Sequence, residues 1–193
     1  RGTDMLARMV EDDGLYEGGK AAALQLPTFL GNHDAGRFGW FLRQQNPAMN
    51  DAEALARDML GHAMLLTLRG VPTLYYGDEQ GFAGKGNDQQ ARQDMFASKV
   101  AEYNADSLIG TAATTARDNF EAGHPLYREI ARLARIRRET PALSRGATIL
   151  RASSDKPGLF AVSRIDPLTG REVVLAFNTS AAPLSGHIAV DPA

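Results

Sequence analysis

Two short apolar runs, each closed by polar side chains and separated by a long amphipathic helix, limit what this chain can fold into more than any other feature. The first is Leu26-Pro27-Thr28-Phe29-Leu30-Gly31-Asn32-His33-Asp34-Ala35-Gly36-Arg37-Phe38, and the second is Val71-Pro72-Thr73-Leu74-Tyr75-Tyr76-Gly77-Asp78-Glu79. A run such as Phe29-Leu30 that stops abruptly at Asn, His and Asp reads as a buried strand delivering polar groups at its C-terminal end. Between the runs, Asn50 or Asp51 caps a helix whose Leu55, Met59, Met64, Leu65 and Leu68 share one face, and Gly70 ends it. Glu53, Arg57 and Asp58 read as its solvated side. Strand, helix, strand is the sequence form of a βαβ unit, with parallel strands whose C-terminal ends lie side by side. The fold class is therefore α/β, and α/β folds carry their chemistry at those strand ends.

The flanking segments are less constraining. Thr3 reads as the N-cap of a short helix carrying Met5, Leu6, Met9 and Val10, stopped by Glu11-Asp12-Asp13-Gly14. Residues 81–120 are polar and loop-like, longer than connections in compact domains, and so either disordered or a functional excursion over the active face. His124-Pro125 opens a basic helix with Leu126, Ile130, Leu133 and Ile136 inward and its arginines outward, stopped before Pro141. Beyond Gly146 the period becomes alternating. Segments 148–152, 159–164, 172–177 and 187–190 read as strands of a small antiparallel β domain, separated by turns such as Asp155-Lys156-Pro157-Gly158. The expected division is residues 1–143 and 144–193.

Composition removes several function classes. A formal net charge of -2 with no like-charge run leaves no footprint for nucleic acid or an anionic membrane, and no apolar stretch approaches the ~20 residues of a membrane helix. With no cysteine, disulfides and thiolate metal sites are excluded. The first residue is Arg1 and no signal-peptide layout follows, so the start reads as a cut. The compartment is left open among extracellular, periplasmic and cytoplasmic.

With these residues in view, the chain resembles the C-terminal part of the α-amylase family of glycoside hydrolases. Phe29-Leu30-Gly31-Asn32-His33-Asp34 looks like that family's signature at the end of the seventh strand of its (β/α)8 TIM barrel. Gly70 to Glu79 looks like the eighth strand and its exit, residues 125–139 match the last barrel helix, and the alternating region resembles the β-sandwich that follows. The resemblance implies a retaining hydrolase or transglycosidase acting on α-glucans or related α-glucosides, with the choice between hydrolysis and transfer left open. Asp34 would be the acid that supports the oxocarbenium-like transition state, His33 would bind a hydroxyl of the same sugar, and Asn32 and Arg92 would be substrate-binding. The nucleophile and general acid, which retention requires about 5 to 5.5 Å apart, come from earlier strands in that family and are not recognisable here. The chain alone is accordingly expected to be inactive, and homo-oligomerisation or domain swapping is expected to cover its unpaired strand edges. No cofactor is expected; calcium stays open for the full-length protein, with no ligands identified in these residues.

Each assignment has a plainer alternative. His62, His124 and His187 read as structural. Asn32 serves equally well to fix its loop through side-chain bonds to backbone, Arg37 pairs by default with a neighbouring carboxylate, and Asp78 and Glu79 favour a structural role. The Asn178-Thr179-Ser180 sequon is discounted. Two other classes compete with the enzyme: a non-catalytic carbohydrate-binding or interaction module using Phe38, Trp40, Tyr75 and Tyr76, and a metal-dependent hydrolase ligated by His33, Asp34, Asp78 and Glu79.

Overall fold

The computed structural model describes residues 1–191, and the chain divides into two compact units. One comprises Arg1–Pro27, Thr67–Val71 and the chain from Arg137; the other comprises Thr28–Leu66 and Pro72–Ile136.

In the first unit, helix α1 (Asp4–Glu11) buries Ala7 and Val10, which lie three apart on one helical face. Thr3 makes no side-chain cap. Its hydroxyl instead donates to the Leu159 carbonyl at 2.9 Å and accepts the Ser154 amide at 2.8 Å, so a long-range partner displaces the local one. Helices α2 (Gly19–Ala23) and, further on, α7 (Pro141–Arg145) are single short turns. Strands β3 (Ala147–Ala152), β4 (Leu159–Ile165) and β5 (Glu172–Asn178) form an antiparallel sheet in that order, with a register shift between Leu150 and Ala152. Phe160, Ala161 and Val162 are buried, and the Phe160 and Phe177 rings stack at 6.2 Å. The fourth expected strand is absent: residues 187–190 join no ladder and are mostly exposed. Alternation there lacks a facing strand, and period alone does not make a ladder.

Arginines brace this unit from within. Arg69 Nε donates to Asp13 at 2.9 and 2.7 Å. Arg137, expected outward, points in and donates to the carbonyls of Leu68, Leu143 and Gly70 at 3.1, 2.9 and 2.6 Å. Arg164 is fully buried and donates to the Gly146 carbonyl at 2.9 Å. Burial, with Arg137 and Arg69 nearby, pushes its pKa down to about 10.

Strands β1 (Pro27–Thr28) and β2 (Val71–Pro72) pair as a two-stranded sheet. The Val71 amide donates to Leu26 O at 2.9 Å and the Thr73 amide to Thr28 O at 2.7 Å, the co-advancing register of parallel strands. The ladder is shorter than the apolar runs suggest. Phe29 and Leu30 lie beyond it, and Phe29 is half exposed.

In the second unit, α3 (Phe38–Gln45) follows the first polar turn and α4 (Asp51–Thr67) follows it. Asn50 Oδ1 accepts the Glu53 amide at 2.9 Å and so caps α4. Leu66 packs with Leu126, Ile130 and Leu133 of α6 (Pro125–Glu139), with Leu55, Met59 and Ala63 against them. Gly61 is the close approach between α3 and α4, where an added Cβ would lie 2.8 Å from Phe38 Cζ. Asp58 is not solvated: it is 3% exposed and beside His62. Residues 81–120 fold back as short turns, including α5 (Ala101–Asn104), and bury Phe82, Ala83, Ala91, Leu108 and Ile109.

Candidate functional site

The site is a tight turn raised on a buried base. Asn32 and Gly36 exchange backbone hydrogen bonds at 3.0 and 3.1 Å, with Gly36 at φ +107°, where glycine is favoured. Asn32 Oδ1 accepts the amides of Asp34 at 2.9 Å and Ala35 at 2.7 Å. That closure turns His33 and Asp34 outward, with side chains 56% and 71% exposed and His33 Nε2 3.4 Å from Asp34 Oδ2. The Tyr75 ring stands 6.4 Å from the His33 ring.

A second loop lies against this turn. The Asp88 amide donates to Asp34 O at 3.2 Å, and Arg92 Nη2 reaches Asp88 Oδ1 at 2.6 Å and Asp34 Oδ1 at 3.4 Å. His33, Asp34 and Arg92 are thus brought together, with Asn32 holding the turn from inside it. Asp88 was missed from the sequence, although its four-residue spacing from Arg92 is a pairing signal. An imidazole, a carboxylate and a guanidinium side by side can exchange hydrogen bonds with a neutral, hydroxyl-rich ligand.

Beneath the turn the polar groups are buried. Arg37 is fully buried and donates to Gln93 Oε1 at 2.8 Å, Tyr76 O at 2.8 Å and Asp78 Oδ1 at 3.1 Å. Its guanidinium carbon lies 4.3, 5.3 and 5.1 Å from the rings of Tyr75, Tyr76 and Phe82, a cation–π box around a buried charge. Burial lowers the Arg37 pKa, with Asp78 opposing, and raises Asp78 to about 7 despite Arg37 and His62. His62 Nδ1 sits 3.0 Å from Asp58 O and 2.9 Å from its Oδ1. Burial alone would depress that ring, but the Asp58 hydrogen bond and charge outweigh it and the pKa is raised.

Other candidates are structural. Glu79 accepts the Gly77 amide at 2.9 Å, and His124 Nδ1 accepts the Leu126 amide at 3.2 Å, capping α6. His33, Asp34, Asp78 and Glu79 do not converge as metal ligands. Among the described residues no group of three or more His, Cys, Asp or Glu could hold an ion.

Comparison with known proteins gives the family. The family model described as Alpha amylase, catalytic domain, matches residues 19–146. An α-amylase of Streptomyces lividans is 45% identical over 188 residues, 97% of this chain and 20% of that protein. A cyclomaltodextrin glucanotransferase of Niallia circulans is 30% identical over 122 residues, 63% of this chain and 12% of that protein. The crystal structure of AmyP in complex with maltose is 25% identical with a TM-score of 0.67, covering 94% of this chain and 35% of that one. The chain belongs to the α-amylase family of glycoside hydrolases. It spans 20% of the length of the Streptomyces relative.

Proposed function

We propose that this chain is the part of a retaining α-glucan-active hydrolase that forms one wall of the sugar site, with residues 1–143 belonging to the catalytic barrel and 144–193 to the β domain after it. The observation that carries the reading is the Asn32-His33-Asp34 turn with Arg92 across it. Asp34 accepts sugar hydroxyl protons and stabilises positive charge as it develops at the reacting carbon, His33 binds a neighbouring hydroxyl, and Arg92 holds the far side. Such contacts accelerate the reaction only as far as they strengthen in the transition state. The names of the relatives, and maltose in AmyP, support an α-glucan as the substrate class.

The pair of carboxylates that attacks the sugar and protonates the leaving group lies, on this reading, outside these 193 residues. The purified chain is therefore expected not to hydrolyse maltooligosaccharides. The full-length protein is expected to hydrolyse them and to lose about 100-fold or more in kcat on Asp34→Asn. Turnover by the 193-residue chain, or an undiminished Asp34→Asn enzyme, would refute the assignment.

A further inference from the structure

We propose that Gln93 is the positioning residue that sets Arg92 against Asp34, an inference that rests on the reading of the site given above. Arg92 and Gln93 are chain neighbours with opposite environments: the Arg92 side chain is 46% exposed and Gln93 is fully buried. Gln93 Oε1 accepts from Arg37 Nε at 2.8 Å, and its Nε2 donates to Asp106 Oδ2 at 2.8 Å. Lys85 Nζ lies 3.2 Å from the other Asp106 oxygen.

Both demands meet in one side chain, an acceptor towards a cation and a donor towards an anion. A neutral amide supplies both at once; an ionised carboxylate, an ammonium or an alkyl chain does not. The amide therefore ties the loop that bears Arg92 to Arg37, three residues after Asp34, and to Asp106 beyond it. The loop is folded tightly onto the amide: a Cβ at Gly84 would stand 2.7 Å from Gln90 O and 3.0 Å from Gln93 Nε2. The turn bearing Asp34 presses on the same loop, where a Cβ at Gly36 would stand 3.1 Å from Gly86 O. With Gln93 held inward on two sides, the preceding residue is left to project outward over Asp34 and Asp88. Arg92 reaches those two carboxylates through Nη2, at 3.4 Å to Asp34 and 2.6 Å to Asp88. Asp88 holds the guanidinium within the loop, and the backbone that Gln93 anchors sets where that loop presents it to Asp34.

Two measurements test this. In the 193-residue chain, arginine side-chain NMR reads the environment of Arg92 without substrate. Gln93→Met, which keeps length and volume but no polar atom, is expected to move the Arg92 Nε–H resonance towards its position in Asp34→Asn. Gln93→Asn, one methylene too short to span both partners, is expected to do the same if Gln93→Met does not fold. An Arg92 resonance unmoved by a folded Gln93 variant overturns the proposal. In the full-length enzyme, Gln93→Met is expected to lower kcat/KM about 10- to 100-fold, the scale of a lost hydrogen bond to a charged group. Adding Arg92→Ala should then cost little more than Arg92→Ala alone. Fully additive losses would mean that Gln93 supports the fold and not Arg92. The NMR result stands whether or not the protein hydrolyses α-glucans, so failure of the positioning role and failure of the proposed function are told apart.

Discussion

At the residue scale, the wall of the site is exposed while its support is ionisable and buried. Arg37, Asp78, His62 and Asp58 sit together at 0%, 6%, 1% and 3% exposure. A buried ion pair contributes little net stability, yet removing one member leaves an uncompensated charge. Its titration has a readable sign. Asp78, raised by burial to about 7, and His62, raised by Asp58 against the opposing effect of burial, both bind a proton more tightly folded than unfolded. Their contribution is complete below the unfolded values and is lost as pH rises through the folded ones. Burial lowers the His124 pKa, and that group acts in the opposite sense below about pH 6.5. Chemical denaturation is therefore expected to show stability falling from pH 6.5 to 8, with a shallower fall in Asp78→Asn. A stability that climbs over that interval would contradict the buried-proton account.

At the element scale, α4 and α6 hold the second unit through Leu66, Leu126, Ile130 and Leu133. Leu126 is fully buried, so Leu126→Ala removes its transfer energy and leaves a cavity, costing about 2–5 kcal/mol. A guanidinium titration checks this, and a cost under about 1 kcal/mol would show that the cluster collapses around the gap. The sequence legibility of these elements follows their physics. Helical periodicity placed α4 and α6 correctly, because an amphipathic face repeats locally. It failed for Asp58 and Arg137, whose partners, His62 and the carbonyls of Leu68, Leu143 and Gly70, are not visible in a helical period.

At the scale of the whole molecule, the second unit leaves Leu74, Tyr76 and Tyr127 41%, 44% and 42% exposed, around an open cleft of about 400 Å³ that Tyr75, Ile130 and Ala131 also line. Exposed apolar clefts of this kind favour association. The 193-residue chain is expected to show a concentration-dependent mass by sedimentation equilibrium. A clean monomer with a single cooperative unfolding transition would rule this out.

The amino-acid sequence by itself determined the order strand, helix, strand, the family resemblance and the polar turn at Asn32-His33-Asp34, because glycine placement, helix capping and apolar period act over a few residues. The parallel pairing followed from that order, since a helix between two strands returns the chain in the same direction. It also placed β3, β4 and β5. Tertiary structure alone decided that Thr3 bonds across the chain to Leu159, that 187–190 joins no sheet, and that Phe29 and Leu30 fall beyond the ladder. It also decided that Asp88 faces Asp34 across Arg92, and that Gln93 lies buried between Arg37 and Asp106. Each depends on partners far apart in sequence, such as Arg37 and Gln93, 56 positions apart. Burial then makes those pairings strong, by withdrawing the water that would otherwise compete for the same donors and acceptors.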